Sequence, residues 1–307
     1  MERYNSFNII HKGLRASLYQ TALQLQQTDF TEEEPAEEAI NRVKEIILLF
    51  EGHAHKEDTF ILPMINEYEP SVAAGFNAEH EEDEKLGIEL NNAAERVANS
   101  STLLEKIVSG RELTESFVRF MVFNLGHMAK EEDIINKILW RYYSDDEIKA
   151  VASQISASTP PWMQDFYAKW MLRGINNTEA TAWIKAIEKG VPPVVFQTLL
   201  QKAEQELPAQ RFQKISRSLS RSLQPAWDLN HWIMKKFLLV FCPVTLIIVL
   251  TVFAYNSDKG QAKQKDGIAE LQQPNDSLLQ RGRYLISKTN YSDKDLQAIE
   301  VYLNDRD

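Results

Sequence analysis

The sequence predicts an all-α protein, and three observations carry that reading. Glycine is sparse, with 11 in 307 residues. Long stretches are rich in Leu, Ala, Glu, Lys and Gln, which lose little freedom in a helix. No run of β-branched residues alternates with polar ones between turn residues, as a strand would. Hydrophobic residues make up 44% of the chain and charged ones 25%, the balance of a chain that folds rather than one that stays disordered.

Four amphipathic helices are predicted in the first 143 residues. The first spans 6–27, with Phe7, His11, Leu14, Leu18 and Leu25 on one face. The second spans 35–68, and its stripe is Ile46, Leu49, His53, Glu57, Phe60 and Met64. Thr31 with Glu34 reads as its capping box, and the glutamates from Glu32 to Glu38 suit a helix N-terminus. The third spans 71–98, with Val72, Phe76, His80, Leu90, Ala94 and Val97 inward. The fourth spans 113–143, aligning Phe117, Phe120, Asn124, His127, Glu131, Ile134 and Ile138. Spacings of three and four residues place each set on one helix face. The short connections favour antiparallel neighbours, and so an up-down four-helix bundle over residues 1–143.

A boundary is expected near Ser144, followed by a helical region of unassigned role over 144–230. It is punctuated by Pro160, Pro161, Gly190, Pro192, Pro193 and Pro208, and carries Trp162, Phe166, Trp170, Trp183 and Phe196. Residues 237–255 then run without a charge. At ~1.5 Å per residue that stretch spans about 28 Å, close to the ~30 Å of a hydrocarbon core. Trp232 and Tyr255 stand where interfacial aromatics are expected. A single transmembrane helix over 231–256 is therefore predicted. Its N-terminal flank holds Arg217, Arg221, Lys235 and Lys236, its C-terminal flank Lys259, Lys263 and Lys265. With the polar, amphipathic start of the chain, this predicts a single-pass membrane protein whose N-terminal domain is cytoplasmic. The tail, 257–307, is polar with short helical signals. Within it, Arg281 to Leu285 and Asp293 to Leu303 resemble the two ends of a cytochrome c domain. The haem-binding middle is missing, which implies no haem.

Charge and cysteine narrow the function. Residues 1–143 hold 14 Lys and Arg against 26 Asp and Glu, opposite to the basic face that nucleic acid requires. The single cysteine, Cys242, excludes a zinc ribbon, an Fe–S cluster or an internal disulfide.

The histidines point to a metal. Five of the six lie in the first 127 residues, and His11, His53, His80 and His127 fall one per helix on the inward stripes. Three of these precede a carboxylate by four residues: His53/Glu57, His80/Glu84 and His127/Glu131. Residues so spaced stand one turn apart on one face, so both can reach one site. Mixed imidazole and carboxylate suits iron better than calcium or magnesium, and a carboxylate can bridge two metals. A di-iron centre is the predicted cofactor, with manganese or a mixed pair as the variant. His55 points about 200° away from His53 around the helix and is read as a surface or supporting residue. Asp83 competes with Glu84, and Glu132 is assigned to solvent or an outer position.

These segments resemble the hemerythrin family in its histidine–histidine–glutamate cation-binding form, over residues ~5–140. The likeness is carried by Phe7 to His11, by His53 to Asp58 leading to Leu62-Pro63, by Glu79-His80 and by His127 to Glu132. It implies that His11, His53, Glu57, His80, His127 and Glu131 are ligands, with Glu57 and Glu131 as bridges. Oxygen-carrying members place a second histidine where Glu84 stands. A carboxylate there implies a harder iron environment and points away from reversible oxygen carriage. The expected function is a membrane-anchored di-iron protein that binds or senses oxygen, nitric oxide or iron. A di-iron oxidoreductase or iron-centre repair protein is the second reading, and an iron-storing or structural tethered bundle the third.

Overall fold

The computed structural model describes residues 3–223, and every regular element among them is helical. Residues 237–255 and the tail with its cytochrome-like segments lie outside the described residues. Among the described helices, none is long and apolar enough to cross a membrane.

The bundle is built from four rods. The first is α1 (Asn8–Gln27). Asn5 stands before it, and its Oδ1 accepts the amides of Phe7 and Asn8 at 2.9 and 3.0 Å. The second is α2 (Glu33–Lys56), a π-helical turn at Glu57–Ile61, and α3 (Leu62–Tyr68). A tight turn at Glu69 leads to α4 (Pro70–Ala98), where Pro70 starts the helix at a position that needs no amide hydrogen. The fourth rod is α5 (Leu103–Lys130), a second π-helical turn at Glu131–Ile135, and α6 (Asn136–Tyr142). Contacts run from α1 to α2, α2 to α4, α4 to α5 and α5 back to α1, which closes a four-helix bundle.

Local chemistry corrects three sequence expectations. The fourth rod begins at Leu103, not 113, because Thr102 and Glu105 form a capping box. The box expected at Thr31 is not formed. The amide and hydroxyl of Thr31 both go to Asp29 Oδ1, at 2.9 and 2.7 Å, and Glu32 caps α2 without a side-chain bond. Beyond the ligands the buried stripe also moves by one residue. Ile61 and Ile65 are buried where Phe60 and Met64 were expected, and Ile135 is buried while Ile134 is exposed. A π turn holds one residue more than an α turn, so each rotates the following helix face.

Two apolar clusters fill the bundle. One contains Leu14, Leu18, Ile46, Leu49, Phe50, Leu90, Phe117 and Phe120. The other contains Phe7, Ile61, Ile65, Phe76, Ile135 and Leu139. On every rod the predicted histidine ligand falls between residues of one cluster and residues of the other, as His11 does between Phe7 and Leu14.

The chain from Ser144 to Pro208 belongs to the same compact unit as the bundle. It forms α7 (Asp145–Ser158), α8 (Pro161–Gly174), α9 (Asn177–Glu188) and α10 (Pro193–Glu206). Helix α8 lies against α1 at very close range. A Cβ on Gly13 would stand 2.8 Å from the Met171 backbone nitrogen, and one on Gly174 would strike the Lys12 carbonyl. Against α2, the Tyr167 hydroxyl donates to the Leu49 carbonyl at 2.9 Å, and Trp170 Nε1 donates to Glu45 Oε1 at 3.0 Å. Trp162, Met163, Tyr167 and Trp170 thereby extend the first apolar cluster. Helix α11 (Ala209–Leu223) opens a second unit.

Candidate metal centre

Between the apolar clusters lies a layer that packing alone does not explain. His11, His53, Glu57, His80, His127 and Glu131 are all buried, Glu131 completely. Two groups of four form within it: His11, His53, Glu57 and Glu131, and Glu57, His80, His127 and Glu131. In each, one ligand atom per residue lies within 4.8 Å of the others. Both carboxylates belong to both groups.

The orientation of those carboxylates is specific. Glu57 Oε1 lies 3.2 Å from His53 Nε2 and 3.8 Å from His11 Nε2, while its Oε2 lies 3.5 Å from His80 Nε2. Glu131 Oε2 lies 3.4 Å from His11 Nε2, while its Oε1 lies 3.0 Å from His127 Nε2 and 3.8 Å from His80 Nε2. Each carboxylate thus offers one oxygen to each histidine pair. Both oxygens of Glu57 and of Glu131, with Nε2 of His80 and His127, are buried without a hydrogen bond of good geometry. Unsatisfied buried charge is costly, and here it converges on a common centre. Imidazole nitrogens and carboxylate oxygens are the donor set that iron and manganese accept, so the residues fit a pair of such metals. Both π-helical turns begin at these glutamates, an interruption often found at functional sites.

Carboxylates behind the histidines fix their direction. Nδ1 of His11 meets Glu132 Oε1 at 3.0 Å, Nδ1 of His80 meets Asp58 Oδ1 at 2.6 Å, and Nδ1 of His127 meets Glu79 Oε2 at 2.8 Å. An Nδ1–H held this way leaves Nε2 free to ligate and makes it more basic. Burial alone would lower these imidazoles. Against it, Glu132 and Glu57 raise His11 to about 9. Asp58, Glu131 and Glu57 push His80 up to about 12. His127 is raised by Glu131 and Glu79 against its burial. His53 moves the other way, because burial dominates. Burial opposes the charge on Glu57, but the surrounding histidines hold it well below the usual carboxylate range.

The structure brings together six of the seven sequence-predicted ligands. The exception is Glu84, which is exposed and stands in neither group. Its physical reason is the face of α4. The buried side runs through Phe76, Asp83, Gly87 and Leu90, and Glu84 stands about 100° from Asp83 around the helix. Asp83 takes the inward place and accepts a bond from Asn124 Nδ2 at 2.5 Å. Burial pushes its carboxyl up to about 6, against that bond. His55 is partly buried and belongs to neither group. Asp58 and Glu79 were not singled out from the sequence as supports. The available signal was an acidic residue adjacent to a ligand, as in Glu57-Asp58, Glu79-His80 and Glu131-Glu132.

Residues 6–139 match the family model described as the hemerythrin HHE cation binding domain. Comparisons with curated proteins and with solved structures returned no match. The matched segment contains all six inward residues and ends within α6.

Proposed function

We propose that the bundle holds two irons and presents them to a small ligand, oxygen or nitric oxide, on a chain tethered to a membrane. One observation carries the di-iron reading: Glu57 and Glu131 each direct one oxygen to the His11/His53 pair and the other to the His80/His127 pair. His11 and His53 would hold one iron, His80 and His127 the other, and the two glutamates would bridge them. Iron so held supplies a Lewis-acidic, redox-active position for a diatomic ligand. The chain's own contribution is to orient His11, His80 and His127 through Glu132, Asp58 and Glu79 and to exclude bulk water between two apolar clusters.

Tethering rests on the uncharged run 237–255, which is long enough to span a bilayer. The bundle would face the cytoplasm, with the basic flank at Lys235 and Lys236 on that side. Protease treatment of spheroplasts carrying a tag at each end tests this topology. Loss of the N-terminal tag with a protected C-terminal tag reverses it. For the centre, metal analysis of the purified chain and optical spectra with and without oxygen and nitric oxide are decisive. About two irons per chain and a ligand-dependent spectrum are expected. Absence of iron and manganese after growth with both metals refutes the reading.

A further inference from the structure

The two halves of the centre are supported differently. Around His80 and His127, both Nδ1 atoms meet a carboxylate, Asp58 at 2.6 Å and Glu79 at 2.8 Å. Glu79 divides its oxygens: Oε2 goes to His127 and Oε1 to Lys130 at 2.7 Å. The buried carboxyl of Asp83 lies on the same helix, one turn beyond His80. Around His11 and His53 the support is thinner. Glu132 uses the same oxygen, Oε1, for His11 at 3.0 Å and for Arg15 at 2.9 Å. Among the described residues no carboxylate meets His53 Nδ1; its contacts run through Nε2, to Glu57 and to His11. The sequence shows where the difference arises. Glu79 precedes His80 on α4, whereas Ile10 precedes His11 on α1.

Resting on the two-metal reading above, we infer that the positions are inequivalent: the His80/His127 position binds its metal first and more tightly, and the His11/His53 position is filled second and exchanges. Two effects act in the same direction. A carboxylate behind an imidazole makes the ligating nitrogen a stronger donor, and loss of such a partner typically weakens metal binding by about 10–100-fold. Negative charge nearby also favours a divalent cation: each side has one cation, Lys130 and Arg15, but Lys130 is the more exposed and better screened, and only the His80/His127 side has the extra buried carboxyl of Asp83. The shared glutamates cannot produce the difference, since each gives one oxygen to either half. A protein holding one iron is therefore a discrete state, and the second position is the one that responds to iron supply.

The test is an anaerobic titration of the full-length, chelator-stripped chain with iron(II), read against a competing chromophoric chelator. Two classes of one iron each are expected, separated by about 10–100-fold in affinity. Glu79→Gln should weaken the tight class and narrow the gap, and Glu132→Gln should weaken only the loose class. His53→Ala should leave one tightly held iron, and His80→Ala should remove the tight class. Circular dichroism confirms that each variant is folded. Glu79 is partly exposed, so Glu79→Gln keeps the test decisive if His80→Ala does not fold. Two irons of indistinguishable affinity, or loss of the tight class in His53→Ala, overturns this inference and leaves the two-metal reading intact. Failure to take up any iron overturns that reading itself.

Discussion

The apolar layers of the bundle and the polar layer between them are stabilised by opposite means. In the first apolar cluster Phe117 and Leu113 are fully buried, and Phe50 and Phe120 meet edge to face with ring centres 5.4 Å apart. Such a layer is fixed by volume, and exchange for another apolar side chain of similar size is tolerated. In the polar layer, Glu57 and Glu131 are as deeply buried as the phenylalanines, yet their oxygens lack good hydrogen bonds. That layer is fixed by charge and direction. The difference teaches that burial alone does not report on stability. Removal of a group from an apolar layer leaves a cavity, whereas removal of a glutamate from the polar layer leaves histidines facing one another without the charge that joins them.

Substitutions in the two layers should separate accordingly. The largest effect is expected for Glu131→Ala or Glu57→Ala. Each removes an oxygen from both histidine pairs, so on the proposed two-metal reading occupancy should fall from about two irons to nearly none. Elemental analysis checks it, and retention of one full iron would show that the carboxylate does not bridge. Phe117→Ala should cost ~3–5 kcal/mol of unfolding free energy by chemical denaturation, with metal content kept in the folded fraction. Loss of iron from that folded fraction would mean that the layers are not separable.

Gly174→Ala tests the seam outside both layers. Its new methyl would meet the Lys12 carbonyl, so α8 must shift away from α1 at a cost of ~1–3 kcal/mol. Iron content should change little, because α1 still presents His11. The smallest effect is one of pH. His11, raised to about 9, and His80, raised to about 12, are protonated in the metal-free protein at neutral pH. Metal entry must expel those protons, so apparent affinity should rise as pH rises from about 6 to 8, with acid released on binding. Titration in weak buffer measures this, and proton uptake or a flat profile would contradict the assigned directions.

Much of the centre was legible because its ligands repeat on the period of a helix. His53 and Glu57, or His127 and Glu131, stand four apart on rods whose apolar stripes pass through them, so their inward direction followed from the spacing. The same rule misplaced Glu84. Spacing identifies a face only to within the width of a stripe, and the packing of α4 against its neighbours chose the side on which Asp83 lies. The start of α5 was missed for a related reason. Leu103, Leu104 and Ile107 are exposed, so the first turns of that helix carry no inward stripe to read, and the Thr102–Glu105 box defines the start instead.

The sequence by itself determined the helical class, the four rods, the acidic balance of the bundle and the inward direction of His11, His53, Glu57, His80, His127 and Glu131. Those properties are local: they depend on residue type and on separations of three or four along one helix. Tertiary structure alone decided which oxygen of Glu57 faces which histidine. It decided that Asp58, Glu79 and Glu132 stand behind His80, His127 and His11, and that α8 seats on α1. It also decided the one-residue rotation after each π turn. The contacts among them join different helices far apart in the chain, by 121 residues for His11 and Glu132. A helical period describes one rod; relations between rods are set only when the helices pack.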